Sequence, residues 1–158
     1  IQENNSFAED FQLKLVGSVS QEVLNSINEA GLEKNLETSG YVTHEKAIKL
    51  QRSSQVLLLI EIDSFDTRGI IPGKIFEYLA AKRPILAVGP KNWDVGIILN
   101  KSGSGNYFSY KEDEELKFRI QEYYKLYKRG ELVSNSKNIE QFSRKHFTGV
   151  LAGVINDK

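Results

Sequence analysis

The 158-residue sequence contains no cysteine, no methionine, two histidines and one tryptophan. The absence of cysteine excludes disulfide bonds, thiolate nucleophiles and cysteine metal sites. The two histidines, His44 and His146, lie far apart in the chain, so a histidine-rich metal site is not expected. We therefore expect a fold without covalent cross-links, no metal site and no tightly bound cofactor.

The chain also lacks an excess of either charge and a long apolar run. It has 21 basic and 21 acidic residues, so no overall field favours nucleic acid, and no nucleic-acid partner is expected. The longest apolar run, residues 56–60, is far shorter than the roughly 20 residues that a membrane-spanning helix needs. The sequence thus predicts no transmembrane segment. We expect a cytoplasmic protein, with a peripheral position at the inner face of a membrane as the alternative.

The length and the hydrophobic content of 40% indicate a globular domain with a sizeable core. Residues 1–10 are polar and are expected to form a frayed tail, with the domain at residues 11–158. Because the chain begins at Ile1 and contains no methionine, we interpret it as a fragment of a larger, two-domain protein.

Apolar patterning predicts alternating strands and helices. Ser20 and Thr43 are expected N-caps, and the continuous apolar run at residues 55–62 predicts a central strand buried on both faces. Residues 102–105, Ser-Gly-Ser-Gly, are expected to form a flexible connection. The predicted strands are residues 11–16, 36–42, 55–62, 84–88 and 106–108, and the predicted helices are residues 21–30, 43–50, 72–81, 93–99, 113–129 and 139–155.

This order predicts a βαβ series, and therefore an α/β fold: a three-layer Rossmann-like sandwich around a mostly parallel sheet. Ligands of such sheets bind at the carboxyl ends of the strands, where the strand order reverses. That rule places Gly17, Thr43, residues 63–72 and the Gly89-Pro90 turn on one rim.

The most distinctive stretch is residues 69–90, which begins Gly-Ile-Ile-Pro-Gly-Lys-Ile-Phe-Glu. It combines a glycine-bearing loop, a helix that opens near Pro72 and an apolar strand that is closed by Gly89-Pro90. Glu77 lies one turn into the helix. A loop of this kind presents a polar pocket at a helix N-terminus, where an anion is favoured.

The same stretch resembles the donor-binding signature of GT-B glycosyltransferases, in particular the family 4-like (group 1) enzymes. Further matches at residues 15–17, 40–42 and 57–60 follow the family's order, so the resemblance covers about residues 13–155. It implies the C-terminal half of a GT-B fold, and a retaining transfer of a sugar from a UDP-, GDP- or dTDP-linked donor without an obligatory metal. The acceptor would be bound mainly by an N-terminal domain that is absent here.

The resemblance also implies roles for individual residues. Glu77 matches the second glutamate of the family's E-x7-E pattern, which accepts hydrogen bonds from the ribose hydroxyls. Lys74 would add positive charge near the diphosphate, and no catalytic acid or base is assigned. The expected donor-binding residues are Glu77, Lys74, Gly73, Pro72, Ile71, Gly69, Gly17, Thr43 and His44.

Two features depart from the family's pattern. Gly69 occupies the position of the first glutamate, which contacts the donor sugar, so the sugar would be bound differently or by Asp66 or Arg68 nearby. The family's first strand and helix, which carry basic residues to the diphosphate, are also missing before Phe11. Two alternatives therefore stay open: a GT-B-type nucleotide-sugar epimerase, and a non-catalytic interaction module of the same fold.

Overall fold

The computed structural model describes residues 5–156 and has an α/β architecture. The predicted fold class is confirmed: within these residues, helices alternate with strands, and every strand pairing is parallel. Short 3-10 turns cover Glu33–Asn35 and Ile139–Phe142. The strands are β1 (Leu13–Val16), β2 (Leu36–Ser39), β3 (Leu57–Ile60), β4 (Ile85–Gly89) and β5 (Gly105–Ser109). The helices are α1 (Asn5–Asp10), α2 (Gln21–Glu29), α3 (His44–Ser53), α4 (Lys74–Ala81), α5 (Asp94–Ser102), α6 (Asp113–Lys128) and α7 (Arg144–Asn156).

The chain divides into two compact units, Ile1–Leu50 and Gln51–Lys158. The first unit contains the parallel pair β1-β2, with Leu13 opposite Leu36 and Val16 opposite Ser39. The second contains a parallel sheet in the order β3-β4-β5. The sequence predicted one domain around one sheet, whereas the described strands form two small sheets. Neither contains a reversal of strand order, so the expected switch point is not found within them.

The start of the first unit differs from the expected polar tail. Residues 5–10 form α1, and residues 1–4 lie outside the described part of the chain. The rings of Phe7 and Phe11 pack at 5.2 Å between centroids. The side-chain amide of Asn35 donates to the carbonyl oxygens of Ala8 and Phe11, at 2.8 Å in each case. An aromatic pair and an amide clamp therefore order a segment that composition alone marked as frayed.

Both expected helix caps are confirmed. The hydroxyl of Ser20 accepts a hydrogen bond from the Val23 amide at 3.4 Å, and that of Thr43 accepts one from the Lys46 amide at 3.3 Å. Each cap satisfies one of the amides that a helix start leaves without an intrahelical partner. Local sequence therefore fixes where α2 and α3 begin.

The core of the second unit lies between its sheet and the helices α4 and α5. β4, not β3, is the central strand, with Ile85 and Ala87 fully buried. β3 lies at the edge of the sheet, where Leu58 is 42% exposed and Ile60 is 60% exposed. The prediction that residues 55–62 form a strand buried on both faces was therefore wrong. The core side chains are Leu57, Leu59, Ile75, Leu79, Ile85, Ala87, Trp93, Val95, Ile98 and Leu99.

The expected flexible connection at residues 102–105 is instead a buried, tightly packed corner. Ser102 and Ser104 are almost completely buried, and the Ser102 hydroxyl donates to the Ile98 carbonyl at 2.7 Å. Gly103, with φ 61°, ends α5 in the left-handed conformation. A Cβ on Gly105 would lie 2.0 Å from the Ile85 carbonyl oxygen, so only glycine fits there. Small residues at this corner let α5 lead directly into β5.

The last helix, α7, has no buried residue. Five bulky apolar side chains recur along it at spacings of three and four residues, each more than half exposed. They are Phe147, Val150, Leu151, Val154 and Ile155, and we call them the α7 stripe. Within residues 5–156, no helix is both long enough and apolar enough to cross a bilayer.

Replacing Gly105 by alanine should destabilise the second unit by about 3 kcal/mol, because the new methyl group overlaps the Ile85 carbonyl oxygen. The matched control is Gly153→Ala in α7, where the methyl group meets open space. That change should raise stability by about 0.5 to 1 kcal/mol. Urea unfolding followed by Trp93 fluorescence measures both. Equal stability of the two variants would contradict the packing described for this corner.

Candidate functional site

The candidate site is built on the loop between the carboxyl end of β3 and the start of α4, residues 61–73. The Thr67 hydroxyl donates to the Ile62 carbonyl at 2.7 Å and is 3.0 Å from that of Ser64. The Ile70 amide donates to the Thr67 carbonyl at 3.0 Å. These bonds join the loop to itself. Its position relative to the core therefore has to be fixed by other contacts.

Two hydrogen bonds anchor this loop to the start of α5. The Asp94 amide donates to the Arg68 carbonyl at 3.0 Å, and the indole N–H of Trp93 donates to the Ile70 carbonyl at 2.7 Å. Trp93 is 1% exposed and packs edge-on against Tyr107 at 6.1 Å. A Cβ on Gly89 would lie 2.5 Å from the Trp93 ring, which explains the glycine that closes β4. The loop is therefore fixed to a core residue.

The amino end of α4 has no side-chain cap. Gly73 occupies the N-cap position, and Lys74 is the first helical residue. Two amides near the helix start have partners in tight turns. The Ile75 amide donates to the Pro72 carbonyl at 3.0 Å, and the Phe76 amide donates to the Gly73 carbonyl at 3.2 Å. Among the described residues, none accepts a hydrogen bond from the amides of Gly73 and Lys74. Free amides at the positive end of a helix favour an anion.

Glu77 lies one turn into α4, half-buried, with its carboxylate held in place. The side-chain amide of Gln51 donates to Glu77 Oε2 at 2.9 Å, and within residues 5–156 Oε1 has no such donor. Burial, and secondly the charge of Glu77, raise the pKa of the neighbouring Tyr78. The Tyr78 hydroxyl donates to the Leu58 carbonyl at 3.4 Å. One carboxylate oxygen is thus oriented by Gln51 while the other stays available to a ligand.

The structure brings six of the nine predicted site residues together in the second unit. They follow one another along the loop and the first turn of α4: Gly69, Ile71, Pro72, Gly73, Lys74 and Glu77.

The other three predicted residues belong to the first unit. The Gly17 amide donates to the carbonyls of Ser39 and Gly40 at 3.0 and 3.2 Å, where β1 and β2 end. Thr43 caps α3, and His44 is the exposed first residue of that helix. The predicted common rim therefore corresponds to one group of residues in each unit.

Asp94 and Gln51 were not assigned roles from sequence, and Arg68 was considered only as a replacement for the glutamate that is missing at position 69. Asp94 Oδ2 lies 3.9 Å from the point that a Cβ on Gly69 would occupy. The Arg68 guanidinium stacks on the Phe65 ring at 4.6 Å, and its Nε is buried without a hydrogen-bond partner. Gln51 orients Glu77. The sequence predicted a helix start at Trp93, but no signal in it places the neighbouring Asp94 beside Gly69.

Two cavities of the second unit lie away from the loop and the start of α4. One cavity of the second unit, of about 490 Å³, lies between α5 and β5 and is lined in part by Asn92, Asn100 and Tyr107. Another, of about 640 Å³, lies beside α7 and includes His146. Neither is lined by residues of the loop or of α4. Across the described part of the chain, no three His, Asp or Glu side chains cluster closely enough to hold a metal ion.

Comparisons with protein-family models, with curated proteins and with solved structures give no match for this chain. The function of the site has to be argued from its own residues.

Changing Trp93 to phenylalanine should loosen the loop, because the indole N–H that holds Ile70 is lost while a smaller aromatic ring remains in the core. The Ile70 carbonyl loses its partner, at an expected cost of about 1 to 3 kcal/mol. Trypsin should then cleave after Arg68 several-fold faster. Tyr123→Phe, which removes a hydrogen bond to Asn106 on β5, serves as the control and should leave this cleavage unchanged. Equal cleavage in both variants would mean that other contacts hold the loop.

Tyr78 should make the protein sensitive to alkaline pH. Burial, and secondly the charge of Glu77, raise the pKa of Tyr78 above its ordinary value of 10.0, which favours the neutral phenol in the folded state. The associated stability is complete below pH 10 and is lost as the pH rises through the folded pKa. Tyr78→Phe should therefore weaken the pH dependence of the unfolding free energy above that pH, measured by urea titration. Tyr127→Phe, at an exposed position, is the control and should leave the dependence intact. The same curve for both variants would exclude Tyr78 as the cause.

Proposed function

We propose that this chain is the donor-binding domain of a glycosyltransferase that moves a sugar from a nucleotide-sugar to an acceptor. In this proposal the transfer retains the anomeric configuration and requires no obligatory metal. The supporting observation is the uncapped start of α4, which combines free amides, Lys74 and, one turn later, the oriented carboxylate of Glu77. This constellation follows the carboxyl end of a parallel strand, the usual ligand edge of such sheets.

The start of α4 suits a diphosphate. The amides of Gly73 and Lys74 can donate to phosphate oxygens, and the helix contributes about half a unit of positive charge. The exposed ammonium group of Lys74 adds a full charge. As the donor bond breaks, negative charge grows on the leaving diphosphate, and prearranged donors stabilise it. The proposed contribution of α4 to catalysis is electrostatic.

Glu77 suits the ribose. An ionised carboxylate accepts hydrogen bonds from two neighbouring hydroxyl groups, and such charge-assisted bonds are stronger than neutral ones. Gln51 holds one carboxylate oxygen, which reduces the ordering that binding would otherwise require. Half-burial also limits competition from water. A separate acceptor-binding domain completes the enzyme in this proposal, so the chain alone is not expected to catalyse transfer.

The α7 stripe favours a second candidate, a non-catalytic interaction module. A run of five exposed apolar side chains on one helix is typical of a contact surface. This candidate does not require the loop and the start of α4 to bind a nucleotide. Nucleotide binding therefore distinguishes the two functions.

Titration with UDP, GDP and dTDP should identify one diphosphate that raises the melting temperature of the protein. A ligand at 100 times its Kd stabilises the folded state by about 2.7 kcal/mol. Glu77→Gln should weaken that binding about tenfold, since the neutral amide loses the charge-assisted bonds to ribose. Lys74→Ala should weaken it most at low salt, where charge attraction is least screened.

The matched control is Glu115→Gln, an exposed glutamate in the first turn of α6. It removes the same charge from a helix start and should leave nucleotide affinity unchanged. Absence of stabilisation by all three diphosphates at millimolar concentration would contradict the donor-site proposal and favour the interaction module.

A further inference from the structure

Gly69 leaves a gap beside the proposed donor site, and a carboxylate from another element borders it. Gly69 precedes α4 by a few residues and carries no side chain that could bind a ligand. Asp94, the first residue of α5, has its Oδ2 atom 3.9 Å from the point where a Cβ of Gly69 would stand. Although the two residues are 25 positions apart in the chain, the Asp94 carboxylate therefore borders the space that a side chain at position 69 would enter.

Backbone contacts hold Asp94 at this place and do not occupy its carboxylate. Its amide donates to the Arg68 carbonyl at 3.0 Å, and the neighbouring Trp93 is locked in the core. The residue itself is exposed, and the part of the chain that the structure describes offers its carboxylate no ion pair. Asp94 is thus a positioned but unengaged hydrogen-bond acceptor.

The surroundings suit a neutral polyhydroxylated ring better than a second anion. The group that borders Gly69 is the carboxylate of Asp94, and carboxylates repel phosphate but accept hydrogen bonds from hydroxyl groups. The missing side chain of Gly69 leaves room for a ring beside Asp94. The start of α4, with Lys74, remains the anion-binding end.

We propose that Asp94 is the sugar-binding carboxylate of this site, accepting hydrogen bonds from hydroxyl groups of the donor's sugar ring at the place that Gly69 leaves open. The assignment rests on the proposed donor-binding function, and it names the residue that determines sugar affinity. Asp94 lies on α5, outside the motif of residues 69–77, so the motif alone does not reveal it. Glu77 binds the ribose, the start of α4 binds the diphosphate, and Asp94 binds the transferred sugar.

An ordinary structural role has to be separated from this one. An aspartate in the first turn of a helix stabilises the helix through its dipole, typically by about 0.3 to 1 kcal/mol. Asp113, the first residue of α6, has the same position in its helix and no part in the site. Asp113→Asn is therefore the matched control for Asp94→Asn.

The test compares each diphosphate with the corresponding nucleotide-sugar, by isothermal titration of the whole chain: UDP with UDP-glucose, GDP with GDP-mannose, and dTDP with dTDP-glucose. The sugar increment is the ratio of the two Kd values for the nucleotide that binds. Asp94→Asn should leave the affinity for the diphosphate unchanged and reduce the sugar increment about tenfold. Asp113→Asn should change neither value, and melting temperatures report the helix-dipole effect of both variants.

The outcomes separate this inference from the function on which it rests. Absence of binding by every diphosphate would overturn the proposed function and the role of Asp94 together. Diphosphate binding with a sugar increment that Asp94→Asn leaves unaltered would overturn the role of Asp94 alone. An equal loss of increment in Asp113→Asn would assign the effect to general destabilisation and would also overturn it.

Discussion

The hydrogen bond from the Trp93 indole to the Ile70 carbonyl connects the core of the second unit to its candidate site. Trp93 is the largest fully buried side chain among the described residues. Its ring requires the glycine at position 89 and packs against Tyr107, so it also connects the end of β4 to the middle of β5. The surface loop at residues 61–73 is thus held in position by a side chain that contacts α5, β4 and β5. Site geometry and core stability are coupled through this residue.

The loop also lies between two helix starts of opposite character. α4 begins with Lys74 behind an uncapped N-terminus, and α5 begins with Asp94, whose negative charge complements the dipole of its own helix. The end of the loop at α4 therefore favours an anion, and Asp94, beside Gly69, offers an acceptor for hydroxyl groups. A nucleotide-sugar presents these two kinds of chemistry in succession, a charged diphosphate followed by a neutral ring.

Local signals in the sequence were sufficient for much of the fold. Ser20 and Thr43 mark helix starts because a short hydroxyl side chain bonds an amide three residues later, and the structure has both bonds. Exposure of Leu58 and Ile60 could not be predicted, because an apolar run does not reveal whether its strand is central or at an edge. The serines and glycines of residues 102–105 have a composition that is typical of flexible linkers. In the structure they instead allow close packing, because a side chain at Gly105 would overlap the Ile85 carbonyl oxygen.

The candidate site, like the fold, could be predicted only in part from the sequence. The order Gly73, Lys74, Glu77 places an open helix start and a carboxylate one turn apart by helical geometry alone, and the structure has that arrangement. Gln51 and Asp94 reach the site from sequence distances of about 25 residues, through tertiary contacts that no local pattern encodes. The sequence also could not reveal that Gly17, Thr43 and His44 belong to a separate compact unit.

The complete exposure of α7 has a consequence for its conformational entropy. An isolated helix of 13 residues is marginal in water, and Gly149 and Gly153 each weaken it by close to 1 kcal/mol. At its amino end Ser143 caps it, and the neighbouring Phe142 packs on the core. Binding of a partner surface to the α7 stripe would therefore bury apolar area. It would also restrict the distal turns of the helix, at a cost in conformational entropy. Its affinity would be lower than the apolar area suggests, and its release correspondingly easier.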